Sequence, residues 1–270
     1  MKNKILVFDI ETIPDVGSAK NLLDVQNVLG DQEIRQQLID YHQTNYANPF
    51  PRQVFHQIAC ISYVDATMEK FDNLTIIRAN HIKSAGEIDA KEEEIVTKFC
   101  EYCQKYNPQI ISFNGRTFDM PVIRYRSMKY GISCPWMYNE NRDYNKKNYS
   151  YRYSNDHLDL LEFFSDYGLS SRIKMSEVCS LFDIPCKYLV DGSNVLDMYN
   201  DGKLDEIRNY CEIDAVITFI LYLISCLHKG IIDNDGYNES ILILKNLSQK
   251  DHIVDFFNRF DEMKNNKFVN

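Results

Sequence analysis

The stretch Lys4-Ile5-Leu6-Val7-Phe8 constrains this chain most, because it delivers two acids into what must be buried structure. It is apolar, β-branched at Ile5 and Val7, and bounded by Asn3, which predicts a central strand. Asp9-Ile10-Glu11-Thr12 follows directly. Side chains alternate along a strand, so Asp9 and Glu11 share one face. Two carboxylates held close and away from water repel each other and cannot both stay ionised without compensation. A divalent cation is the usual compensation, and hard oxygen ligands suit Mg²⁺ or Mn²⁺. The bland alternative is a strand end whose acids face water, and the pair alone does not separate the two.

At 270 residues the chain is long enough for a real core, as one large domain or one domain with appendages. The formal net charge of −9 argues against holding nucleic acid by bulk charge. It leaves open a nucleic-acid enzyme whose contacts run through metal ions and a local basic groove. The chain has eight cysteines, and Met1-Lys2-Asn3-Lys4 runs straight into the first strand. Free thiols in a reducing cytoplasm are the simplest expectation. Cys100 and Cys103 form a lone CxxC inside a helical pattern, with no second pair at zinc-ligand spacing, so they read as helix thiols. The longest apolar run, 215–227, falls short of the ~20 residues that span a bilayer and predicts a buried helix.

After Thr12, the pattern predicts helices over 18–29 and 32–46, a break at Asn48-Pro49-Phe50-Pro51, and strands over 56–64 and 73–78. Asp65-Ala66-Thr67 reads as the turn between those strands. A helix follows to Tyr106, then a strand over 109–113. The order predicts an α/β fold with a mixed sheet. Periodicity is lost over 130–155, returns over 157–163, and resumes in a short helix over 175–182. A loop with a helical turn over 192–202 precedes a long helix over 204–227. Segments 239–247 and 252–263 read as peripheral helices, and 265–270 as a frayed tail.

Two further positions carry chemistry. The fourth strand ends in Asn114-Gly115-Arg116-Thr117-Phe118-Asp119. Glycine fits a tight turn there, and Asp119 opens the next helix just beyond a strand's carboxyl end, where α/β sheets place their sites. An acid in a helix's first turn also serves the macrodipole without any chemistry. On the long helix, Tyr210 and Asp214 are four apart and share a face, whereas Glu212 points about 200° away from Asp214.

Together these elements resemble the DEDD superfamily of 3′-5′ exonucleases in its tyrosine subclass. DxE is Asp9-Ile10-Glu11, NxxxFD is Asn114 through Phe118-Asp119, and YxxxD is Tyr210-Cys211-Glu212-Ile213-Asp214. The pro-rich 48–51 stretch with His56, and the stretch from Asp191-Gly192-Ser193 to Glu212, look like a stand-alone bacterial branch related to the proofreading domains of family B DNA polymerases. The resemblance covers roughly 4–230. It implies a ribonuclease H-like fold, a mixed five-stranded sheet flanked by helices. The implied domain is 1–230 with a helical insertion at about 15–50, followed by a C-terminal helical extension at 231–270. It also implies two Mg²⁺ or Mn²⁺ ions. Asp9 is expected to bridge them, Glu11 and Asp214 to hold the ion on the attacking water, and Asp119 to serve the leaving 3′-oxygen. Tyr210 would position that water, since a phenol with an ordinary pKa near 10 is a poor base at neutral pH.

The implied reaction is hydrolysis of single-stranded nucleic acid from its 3′ end to nucleoside monophosphates, with DNA ahead of RNA. Nothing in the motifs reports on the 2′-hydroxyl. Candidate substrate contacts are Asn114, Arg116, Phe118 and His157. Asn114 can equally cap the turn, Phe118 can pack the helix on the sheet, and His157 with Asp159 can be a buried hydrogen-bonded pair. From Arg124 to Tyr153, seven basic residues face two acids, a local balance of +5, with tyrosines and Trp136 interleaved. That surface suits a single strand, or is a solvated loop of a chain rich in Asn, Lys and Tyr. Two other readings stay open: a nucleic-acid-binding protein that kept the fold without turnover, and a ribonuclease H-type endonuclease. The chain has no room for a polymerase module, so proofreading in cis is not expected, nor is membrane attachment.

Overall fold

The computed structural model describes residues 3–25, 29–46, 50–138, 147–186 and 194–265. Five strands form one mixed sheet: β1 (Asn3–Pro14), β2 (His56–Lys70), β3 (Thr75–Ser84), β4 (Gln109–Ser112) and β5 (His157–Asp159), in the spatial order β3-β2-β1-β4-β5. β1 pairs antiparallel with β2 and parallel with β4, and β2–β3 and β4–β5 complete the antiparallel and parallel halves. This is the α/β, ribonuclease H-like arrangement that the sequence predicts.

Alternation along β1 divides the interior. Ile5 and Val7 face one core with Val216, Ile220 and Leu223 of the long helix. Leu6, Phe8 and Ile10 face the other, with Val96, Phe99, Val122 and Ile123. The helices on these faces are α3 (Glu92–Tyr106) and α4 (Asp119–Lys129) on one side, and α8 (Leu204–His228) on the other. Between β1 and β2 the insertion forms α1 (Val16–Leu23) and α2 (Asp31–Asn45) around a small core of Ala19, Ile34 and Leu38. Asp15 caps α1 by accepting from the N–H groups of Gly17 and Ser18, so that helix starts earlier than its periodicity predicts.

The 65–67 stretch is not a turn. β2 continues through it, with a bulge at Asn80 of β3 opposite the Asp65–Ala66 step, because the Asp65 carboxylate is satisfied inside the sheet. It accepts from Lys4 Nζ and Asn80 Nδ2, each at 3.0 Å, and from the Tyr102 hydroxyl. The apolar pattern over 157–163 divides into β5 and α5 (Leu160–Phe164), because Asp159 caps that helix through Leu161 N–H at 3.0 Å. α6 (Met175–Leu181) and α7 (Val195–Asn200) follow. Among the described residues α8 alone is long and apolar enough to cross a bilayer, and 78% of its most apolar window is buried within the protein, the pattern of a core helix.

The C-terminal helices α9 (Asn234–Asn246) and α10 (Asp251–Asn265) are not peripheral. Leu244, Ile253, Phe256, Phe257 and Phe260 pack into the same core as α8. α9 covers the outer edge of β3, where the Ser240 hydroxyl accepts from Ile77 N–H at 3.0 Å. Gly236 permits that approach, since a Cβ there would lie 2.1 Å from the Thr75 carbonyl oxygen. Covering an edge strand in this way removes a pairing hazard. Glu212 ties α8 to α10 by accepting from Lys250 at 2.7 Å and His252 at 2.9 Å, which explains its place away from Asp214. The CxxC thiols are core residues of α3, and none of the eight cysteines is in a disulfide.

Candidate active site

β1 carries Asp9 and Glu11 on the face turned toward α8. There Cys211 sits against Asp9, its Sγ 3.6 Å from Oδ2 and 3.4 Å from the carbonyl oxygen. Cys60 lies opposite Glu11 in the β1–β2 register, and one residue on, that register slips by a bulge. Ligand atoms of Asp9, Glu11 and Cys211 lie within 4.8 Å of one another.

Asp119 arrives through a loop built from the inside. Asn114 takes a left-handed backbone, φ 69°. Gly115 packs so tightly that a Cβ would lie 2.4 Å from Ser112 Oγ. The Asp159 carboxylate clamps the loop from β5, accepting from Asn114 N–H at 2.8 Å and Arg116 N–H at 2.9 Å. Asp119 then begins α4 at 4% exposure.

Asp9, Glu11, Asp119 and Asp214 form one electrostatic group. Burial raises the Asp9 carboxyl well above the usual range, and the charges of Asp119 and Asp214 push it further. Glu11 is raised by burial, then by Asp9, with Asp214 and Asp119 adding to it. Asp119 is pushed up to about 7 by burial, against hydrogen bonds from its own N–H and that of Ile10. Asp214 also reaches about 7 through burial, although the Tyr210 hydroxyl donates to it. Tyr210 is raised by burial and then by Asp214, Glu11 and Asp9, so its phenol keeps its proton at neutral pH. Carboxylates this close raise one another's pKa, and the ligand atoms gathered around Asp9 and Glu11 could hold a metal ion.

The other candidates separate by what they touch. Arg116 pairs with Glu162 at 3.0 Å and donates to the His157 carbonyl, so it braces the loop. His157 is buried, shares a 2.8 Å hydrogen bond with Ser112 Oγ, and is pushed down to about 3 by burial and by Arg116. Phe118 is half-buried, with its ring edge-on to His56 at 5.1 Å and 6.4 Å from Phe50. Asn114 Oδ1 accepts from Thr117 Oγ1 and Arg172, each at 2.5 Å.

Two clefts meet at Asn114 and Arg172. One of 400 Å³ includes Tyr210, Asp214, Phe113 and Met175 in its lining, and one of 530 Å³ includes Tyr46, Phe50, Arg52 and Phe118. Arg172 and Arg52 have no motif signal and emerge only from packing. His56 has one, since it follows the pro-rich stretch. It hydrogen-bonds Thr12 Oγ1 at 2.8 Å and the Pro51 carbonyl at 2.9 Å, which holds the strand beside Glu11. Residues 48, 49 and 191–193 of the two supporting stretches lie outside the described residues.

Residues 48–263 match the model of a family described as predicted 3′-5′ exonucleases related to the exonuclease domain of PolB. The chain belongs to this family. The match includes α9 and α10 and begins after β1, so Asp9 and Glu11 join it through strand pairing with β2 and β4. No curated protein matches the chain.

Proposed function

We propose that this protein is a two-metal-ion 3′-5′ exonuclease that trims single-stranded nucleic acid, DNA ahead of RNA, to nucleoside monophosphates. The observation that carries this reading is the convergence of Asp9, Glu11, Asp119 and Asp214 from a strand, a strand-to-helix loop and a helix into one partly buried group of like charge, with Glu11 and Asp119 buried. The donor set fits Mg²⁺ or Mn²⁺, with carboxylate oxygens of the kind these hard cations take. The four carboxylates would hold the ions, which when bound neutralise the group and lower the pKa of an attacking water.

The chain's own contribution is positional. Tyr210, protonated and donating to Asp214, orients a water beside the carboxylates rather than deprotonating it. Asp159 and Gly115 hold Asp119 in place, and the 400 Å³ cleft beside Tyr210 and Asp214 takes the strand's end. Eight cysteines outside any disulfide suit a reducing compartment, and we assign the protein to the cytoplasm.

The test is 5′-labelled single-stranded DNA and RNA incubated with wild type and Asp9→Ala, with Mn²⁺ or with EDTA. We expect a Mn²⁺-dependent ladder shortening from the 3′ end, lost in the variant. Internal cuts would make the protein an endonuclease. Intact strands under all conditions would defeat the proposal.

A further inference from the structure

Beside the loop that carries Asp119 lies a cleft of 420 Å³ whose lining includes Arg116, Arg124, Arg152, Thr117 and Glu162. Among the described residues Glu162 is the only carboxylate in that lining, and it is shared between Arg152 Nε at 2.8 Å and Arg116 Nε at 3.0 Å. The buried Nε of Arg124 has no hydrogen-bond partner among the described residues. Three guanidiniums against one carboxylate leave the cleft positive in a chain whose total is −9.

The aromatic run around this cleft divides sharply. Tyr149 is 2% exposed and donates to the Pro108 carbonyl at 2.6 Å, a core residue. Tyr151, Tyr153 and Tyr167 are 55%, 64% and 40% exposed. Their rings follow one another at 5.9 and 6.0 Å. Packing explains Tyr149 and leaves the other three without a role. The cations are joined to them: Arg152 donates to the Tyr167 carbonyl at 3.0 Å and lies 5.9 Å from the Tyr153 ring, and Arg116 reaches the Tyr151 carbonyl at 3.4 Å. Arg126 and Lys129, counted with this run in the sequence, are instead bound to Asp15 on another face, each at 2.8 Å.

We infer that Tyr151, Tyr153 and Tyr167, with the Arg116–Arg124–Arg152 cleft, form a track for the body of a single polynucleotide strand, rings stacking bases and guanidiniums meeting phosphates. Exposed rings interleaved with cations are what sequence-tolerant single-strand binding requires. The position suits it, because Thr117 lines both this cleft and the 530 Å³ cleft that leads past Asn114 and Arg172 toward Asp214. The inference rests on the exonuclease reading for the direction of the strand, with its 3′ end at the carboxylates.

The test reads binding without turnover, by fluorescence anisotropy of 5′-fluorescein oligothymidylates in EDTA. The proteins are wild type, a Tyr151→Ser/Tyr153→Ser double variant and Arg124→Gln, each checked for an unchanged melt. The double variant should bind a strand of about 16 nucleotides at least tenfold more weakly, with little change for one of about 4. Arg124→Gln should reduce the salt slope by about one. A wild type that binds long and short strands alike, or a double variant that binds the long strand as wild type does, overturns the track. Hydrolysis of thymidine 5′-(p-nitrophenyl phosphate) by wild type with Mn²⁺ decides the exonuclease reading separately, since that ester is too small to reach the tyrosines.

Discussion

Replacing Asp119 by Asn should stabilise the metal-free protein while disabling its site. Asp119 is 4% exposed, and its carboxyl is pushed from 3.8 up to about 7, first by burial. At about 1.36 kcal/mol per pKa unit, keeping it ionised at pH 8 costs the metal-free fold roughly 4 kcal/mol. Asparagine carries no charge and weakens the two backbone N–H bonds, from its own residue and from Ile10, a loss of about 2 kcal/mol together. The net gain is then about 2 kcal/mol, or roughly 4–8 °C in Tm for a chain of this size. The sign with pH follows from linkage. The folded state keeps a proton that the unfolded state releases between about pH 4 and 7, so wild-type stability falls as pH rises through that window. The variant's advantage should therefore be largest near pH 8 and fade toward pH 4. Thermal melts in EDTA across this range test it, and Mn²⁺ should then raise the wild-type Tm more than the variant's. A variant less stable than wild type at pH 8, or an advantage indifferent to pH, would refute the argument that burial and charge load this site.

Two other outcomes follow from the same geometry. Tyr210→Phe removes only a hydroxyl that donates to Asp214, so kcat should fall about 10- to 100-fold with Mn²⁺ affinity nearly unchanged; an equal loss of affinity, read by Mn²⁺ titration, would make Tyr210 a builder of the metal site instead. Glu212→Gln tests the anchoring of α10: burial alone would raise this carboxyl, but His252 and Lys250 hold it below its usual value. Its contribution is therefore present above pH 4.5 and lost below it. Because Lys250 is 46% exposed, urea unfolding near pH 7 should show a loss of about 1–2 kcal/mol that shrinks on acidification, and a loss independent of pH would contradict the pairing.

What the sequence determined by itself is whatever backbone geometry dictates over a few residues. Asp9 and Glu11 share a face because a strand repeats every two residues, and Tyr210 and Asp214 because a helix repeats every 3.6. Glycine in Asn114-Gly115 announced the turn that starts α4. The α/β order and the family resemblance were legible for the same reason, because motif spacing survives without knowledge of packing.

Tertiary structure alone decided which distant side chains cancel one another's cost. Asp65 looked like a turn residue, and it stays in β2 because Lys4, Asn80 and Tyr102 converge on it. Arg126 looked like a surface cation, and it is buried between Asp15 and Glu92. The 239–263 helices looked peripheral until Phe256, Phe257 and Phe260 met α8. Cys211 sits one residue after Tyr210 in the motif, yet only the packing of α8 on β1 brings its sulfur to Asp9 across 202 positions. Among the tyrosines of one run, burial of Tyr149 and exposure of Tyr151 and Tyr153 differ by nothing written locally. Burial and charge compensation depend on which faces meet, and no local spacing encodes that.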